Sequence, residues 1–189
     1  FLALVNPGDN VLIPEPYFPL YPPDVEICGG SPNLYPCRFE NGFVPTLEDL
    51  EERVNSSTVA ILYNFPSNPT GGNVNPEQRD ELVEFAKRND LWIISDEVYD
   101  RIVYDVPHVS FIGAGYDKVI MVQSFSKTFA MTGWRIGYLL SPDQQAMEQL
   151  TKMQYYVTAC SNDAMQHAVL EALENAPDYP ESMRSEFKS

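Results

Sequence analysis

The chain has 189 residues, enough to bury the core of one domain, and 44% hydrophobic with 21% charged residues is ordinary globular composition. Twelve Lys and Arg against 27 Asp and Glu leave a formal charge of -15, which repels phosphate backbones and anionic bilayers and argues against nucleic-acid or membrane partners. Cys28, Cys37 and Cys160, with His108 and His167, lack the spacing of a zinc or redox site, so no metal is expected and a reducing compartment, the cytoplasm, fits best.

In chain order, "FLALVNPGD" reads as the end of a helix begun upstream, stopped by Asn6, Pro7 and Gly8. "NVLIP" at 10–14 is an apolar run of strand length, followed by the proline-stiffened loop "PEPYFPLYPP". A helix is predicted over 46–54 with Thr46 as its cap. A strand follows at 58–64, then the turn "NFPSNPTGG", and a helix over 75–90 with Asn75 as cap and Pro76 at its first position. Strands are predicted at 91–96, 118–124 and 135–141, with helices over 142–157 and 162–174. The strands are rich in Val, Ile and Leu without polar alternation, the pattern of strands covered on both faces. Their alternation with helices predicts an α/β fold, a three-layer αβα sandwich with a mostly parallel sheet and helices on both faces.

Ligands of such sheets bind beyond the carboxyl ends of the strands. Phe18, Asn68, Asp96 with Tyr99, and Ser124 with Ser126 and Lys127 each follow a predicted strand, and Arg135 comes shortly after. Singly, Phe18 would be core, Asn68 a turn residue, Tyr99 packing and Arg135 a surface ion-pair partner. Together, on one rim, they suit a flat cationic ring that carries a phosphate. Phe18 would stack on it, Asp96 would hold its ring cation, Asn68 and Tyr99 its phenolate oxygen, and Ser124 with Arg135 its phosphate. Lys127, flanked by Phe125, Phe129, Met131 and Trp134, would close the set by bonding to an aldehyde on that ring, the signature of pyridoxal phosphate.

At "NPGDNVLIPEPYF", "NFPSNPTGG", "SDEVYD" and "SFSKTFAMTGWRIGYL" the sequence resembles the class I/II aminotransferases of the fold type I pyridoxal phosphate enzymes. The resemblance implies an enzyme that moves an amino group between an L-amino acid and a 2-keto acid, working as a homodimer. Lys127 is similar to the family's Schiff-base lysine, Asp96 to its pyridinium partner, and Tyr99 and Asn68 to the ligands of the ring oxygen. Phe18 falls at the stacking position, Ser124 and Arg135 match the phosphate ligands, and Ser126 is added to them. The catalytic set is thus Lys127, Asp96 and Tyr99. Cis peptide bonds before Pro16 and Pro69 are implied as well.

The resemblance also implies that the family's phosphate loop precedes Phe1 and that a small domain follows Ser189. Residues 1–175 then form a cofactor-binding large domain lacking its N-terminal part, and 176–189, a Pro-broken polar run, form a linker or the start of the small domain. Three rivals remain open. One is a non-catalytic remnant of the cofactor domain, and another is a pyridoxal phosphate carbon–sulfur lyase on the same frame. The third takes "SFSK" as the Ser-x-x-Lys of a serine acylase, with Ser124 as its nucleophile.

Overall fold

Residues 1–104 and 106–189 are described by a computed structural model, in which the apolar runs of the sequence become the middle of one sheet. Its strands are β1 (Asn10–Glu15), β2 (Ser31–Pro36), β3 (Thr58–Asn64), β4 (Trp92–Asp96), β5 (Val119–Ser124) and β6 (Gly137–Leu140). They lie in the order β2-β1-β3-β4-β5-β6. The first five pair in parallel, and β6 runs antiparallel to β5.

Neighbouring residues on a strand point to opposite faces, and here both faces are covered. Leu12, Ile61 and Ile93 pack with Leu50 of α2 (Leu47–Glu51) and with Leu82 and Phe85 of α3 (Pro76–Arg88). Val11, Ile13, Ala60, Leu62 and Ile94 pack on the other face with Tyr21 and Val25 of α1 (Tyr21–Ile27). This is the predicted three-layer arrangement. The helix starts follow their capping chemistry. Thr46 accepts the Asp49 N–H ahead of α2, while Asn75 and Gln78 form a reciprocal capping box at α3, with Pro76 at its first position.

The edges depart from the sequence reading. β2, "SPNLYP", has two prolines and one buried residue, Tyr35, a composition that an edge strand tolerates because one side of its backbone needs no ladder partner. β6 was expected to be covered on both faces, yet Tyr138 and Leu140 are exposed, since β6 is the opposite edge. α1 begins inside the proline-rich loop, where Pro22 and Pro23 occupy the first turn and give up N–H groups that have no helical partner there.

The C-terminal helices are α5 (Gln144–Thr158), α6 (Asp163–Asn175) and α7 (Tyr179–Lys188). The last occupies the run read as linker; Pro180 is buried in its first turn, and Arg184 Nη1 donates to Val103 O at 3.0 Å. Cis peptides precede Pro16 and Pro69 as expected, and also Pro66.

Candidate active site

Parallel pairing brings the carboxyl ends of β1, β3, β4 and β5 to one rim of the sheet. At the end of β4, Asp96 and Glu97 turn to opposite sides. Asp96 Oδ2 accepts the Tyr21 hydroxyl at 2.7 Å, and Oδ1 accepts the Val98 N–H at 3.2 Å. Burial holds the Asp96 carboxyl above its usual range, against the pull of the Tyr21 and Val98 donors, and the nearby Glu97 charge pushes the same way as burial. Burial likewise raises the Tyr21 hydroxyl, so it stays a donor. The Phe18 ring meets the Tyr21 ring edge to face at 5.5 Å, which puts Phe18 one ring from the carboxylate.

Glu97 takes the other side and is 2% exposed. Its Oε1 accepts Ser95 Oγ at 2.9 Å, Ser110 Oγ at 3.0 Å and the Phe111 N–H at 3.0 Å, while Oε2 accepts His108 Nε2 at 2.7 Å. Burial alone would raise this carboxyl, but His108, the Phe111 N–H and Ser110 together hold it below its ordinary value. Glu97 therefore pins the segment that carries Tyr99 back against the sheet.

At the end of β5, Ser124 Oγ accepts the Ser126 N–H at 3.0 Å and caps the single turn α4 (Phe125–Thr128). That turn carries Lys127 and lays its Nζ 5.5 Å from the centroid of the Tyr99 ring. Ser126 is buried, and its carbonyl accepts the Thr132 hydroxyl at 3.2 Å. The β5–β6 pairing sets Ser124 opposite Gly137, two residues after Arg135. Arg135 itself is exposed with a left-handed backbone, φ 53°, and its Nη1 donates to Thr132 O at 2.9 Å. Asn68 is held through its N–H to Asn64 Oδ1 at 2.7 Å and joins Tyr99 in lining a cavity of about 570 Å³.

The fold sets Asp96 and Phe18 on the Tyr21 ring and Lys127 on the Tyr99 ring, with Ser124 and Ser126 at the base of the lysine's turn. Asn68 reaches them through the cavity wall, and Arg135 stays on its own turn. The aromatic wall expected from the neighbours of Lys127 is built differently. Phe125 tilts on Tyr138 at 5.6 Å, Phe129 stacks on Tyr179 at 6.3 Å, Trp134 is 43% exposed, and the ring beside the amine is Tyr99. Sequence reasoning also missed Tyr21 and the Glu97–His108 pair. The adjacent acids of "SDEVYD" were the one signal that two carboxylates would need two sets of partners.

The donor set fits pyridoxal phosphate. Asp96 is a desolvated carboxylate with no Lys, Arg or His pairing with it among the described residues, so a protonated ring nitrogen would be the ionic partner that burial withholds. The rim around it carries an aromatic face, a primary amine, hydroxyls and an unburied guanidinium.

The family model "Aminotransferase class I and II" matches residues 1–189. An aspartate aminotransferase of Thermotoga maritima is 39% identical over 176 residues, which are 92% of this chain and 46% of that protein. One from Pyrococcus horikoshii is 35% identical over 190 residues, 99% of this chain and 48% of its own length. Among solved structures, the aromatic aminotransferase of Pyrococcus horikoshii superposes with a TM-score of 0.92 at 35% identity, covering 99% of this chain and 51% of that one. The chain spans about half the length of the curated relatives it matches.

Proposed function

Because the chain belongs to the class I and II aminotransferases, we propose that it is the cofactor-binding part of a pyridoxal phosphate-dependent enzyme that transfers an amino group between an L-amino acid and a 2-keto acid. The observation that carries this reading is the Lys127 amine resting on the Tyr99 ring, three residues along the chain from the desolvated Asp96 carboxylate. The bound cofactor supplies an aldehyde that captures amines and a protonated ring that draws electrons away from a substrate's Cα.

The residues of the chain supply the rest. Asp96 would keep the ring nitrogen protonated, and the Tyr21 hydroxyl favours its charged form against the opposing effect of burial. Phe18 would cover one face of the ring, while Tyr99 and Asn68 would donate to its phenolic oxygen. Ser124, Ser126 and Arg135 would hold the phosphate. Lys127 would provide the amine that holds the aldehyde and, when free, a base able to accept and return a proton at the substrate's Cα. Lys127, Asp96 and Tyr99 are the catalytic set.

Residues 1–175 are proposed to act as the large domain. The run 176–189, helical through α7, leads toward a small domain in proteins of the relatives' length. Exposed Tyr155, Tyr156, Val157, Leu170 and Leu173 on α5 and α6 favour association with another copy as a homodimer. Among the described residues no helix is long and apolar enough to cross a membrane; free Cys28, Cys37 and Cys160 favour a reducing compartment, the cytoplasm, for an enzyme of amino-acid metabolism. The relatives' names favour transamination over a carbon–sulfur lyase or a silent remnant. Ser124 Oγ donates to Ile136 O while the Lys127 amine lies over the Tyr99 ring, so the serine's proton is not directed at a lysine base, which speaks against a serine acylase.

Borohydride reduction in the presence of pyridoxal phosphate, followed by peptide mapping, tests the reading on this chain and on a protein of the relatives' full length that contains it. The expected result is a single stable adduct on Lys127 that is absent from Lys127→Ala. An adduct spread over surface lysines, or one that persists in the variant, overturns the assignment.

A further inference from the structure

The parallel pairing of β4 and β5 ends one residue past Asp96. Its last rung is the Glu97 N–H donated to Val122 O at 3.0 Å. From there β5 continues with β6 on its other side, Gln123 opposite Tyr138 and Ser124 opposite Gly137. The arm bearing Asp96 and Tyr99 and the arm bearing Ser124 and Lys127 therefore part at this step, as strand ends must if a ligand is to enter between them.

A side chain fills the step. Gln123 is 6% exposed; its Nε2 donates to Glu97 O at 2.9 Å and its Oε1 accepts the Ser124 N–H at 2.9 Å. With one amide it supplies the donor and the acceptor that a further backbone rung would have offered, and it joins the two arms where the ladder stops. Neither end of the link is loose. Glu97 is fixed by Ser95, Ser110, Phe111 and His108, while Ser124 caps the turn that carries Lys127.

We propose that Gln123 is a positioning residue, a side-chain rung that sets the separation between the Asp96–Tyr99 arm and the Ser124–Lys127 arm before any ligand arrives. The proposal rests on the cofactor reading given above. A shift of the Ser124 peptide moves the cap of α4 and, through that single turn, the lysine amine; a shift of the Glu97 carbonyl moves its two neighbours on either side. A buried amide that served only the stability of the sheet as a whole would, on removal, raise exchange through β1 and β3 as well.

The test uses the full chain with Gln123→Met, similar in length but without donor or acceptor, and Gln123→Glu, which keeps an acceptor for the Ser124 N–H and loses the donor to Glu97 O. Amide hydrogen exchange is followed without cofactor, and pyridoxal phosphate affinity by absorbance titration. In Gln123→Met, exchange over 124–128 and 97–99 should rise about tenfold, the loss expected for one buried hydrogen bond, with β1 and β3 unchanged and cofactor affinity lowered by a similar factor. In Gln123→Glu, the Ser124 amide should stay protected while 97–99 loosens. Exchange that rises uniformly through the sheet in both variants, or unchanged exchange and affinity, overturns the proposal. A wild-type chain that binds no cofactor at Lys127 would count against the functional reading, and the exchange pattern would still judge Gln123.

Discussion

At the end of β4 the polar groups are already engaged by the fold, with Asp96 on Tyr21 and Val98 and Glu97 on its four donors. At the turn into β6, by contrast, Arg135 lies in solvent and donates to a carbonyl three residues away. The difference follows from solvation. A carboxylate taken out of water must be held by donors whether or not a ligand is present, whereas an exposed guanidinium is well solvated until an anion displaces its water. One arm is therefore expected to be rigid and sensitive to any lost partner, and the other to be adaptable and to register chiefly in affinity.

Substitution at Asp96 should separate the arms most sharply. In a protein of the relatives' length that contains this chain, the proposed function has Asp96→Asn lowering turnover by about 10²–10³-fold, the range for losing a preorganised charge at a reacting centre. The same change should raise the thermal midpoint of the cofactor-free protein. Burial raises the Asp96 carboxyl, so its ionised form opposes folding, and the penalty appears as the pH climbs through that raised value. A neutral amide removes the penalty, so the midpoint at pH 7 is expected to rise. A lower midpoint by calorimetry would mean that the carboxylate stabilises the fold.

Arg135→Gln tests the adaptable arm. Loss of one charge-assisted contact should weaken pyridoxal phosphate binding by about 10- to 100-fold and leave pyridoxal, which has no phosphate, unaffected in the same titration. An equal loss for both ligands would place Arg135 elsewhere in the site.

His108→Ala probes the rigid arm away from the ligand. It strips a donor from a buried carboxylate and should cost about 1–3 kcal/mol in urea unfolding at pH 7. The Glu97 carboxyl is held below its ordinary 4.5, so its contribution is complete above that pH and fades as the pH falls through the lower folded value. Without His108 the carboxyl should move up and acid unfolding should begin at higher pH. An unchanged acid midpoint would remove His108 from the account.

Tyr21→Phe is the mildest change. Losing the hydroxyl lets burial push the Asp96 carboxyl higher, so on the proposed function turnover of a protein of the relatives' length should drop a few-fold on the acid side, with its acid limb moved to higher pH. A pH profile identical to that of the parent would show that Val98 alone suffices to hold Asp96.

How far the sequence could be read follows the same division between interior and edge. β1, β3, β4 and β5 are apolar on both sides and announce themselves, and the candidate residues after them could be picked out because parallel strands deliver their ends to one rim. β2 was obscured because an edge strand needs no continuous apolar run, whereas β6 was read within 135–141 and only its exposure at the opposite edge was missed. Tyr21 lies 75 residues from Asp96 and His108 lies 11 from Glu97, separations that no local pattern encodes. The rings around Lys127 misled for a related reason. Closeness along the chain gave Phe125 and Phe129, but the folded neighbours of those rings are Tyr138 and Tyr179.

Two consecutive acids at the end of β4 lead separate lives because a strand shows its residues alternately to either side. Deleting any one residue between Leu91 and Ser95 would slide Glu97 into the berth of Asp96 and point the longer acid at the ligand. The histidine behind would then be left facing the wrong residue. Such a frame slip hardly alters composition or charge, yet it should silence the site more thoroughly than exchanging one aliphatic residue of that strand for another.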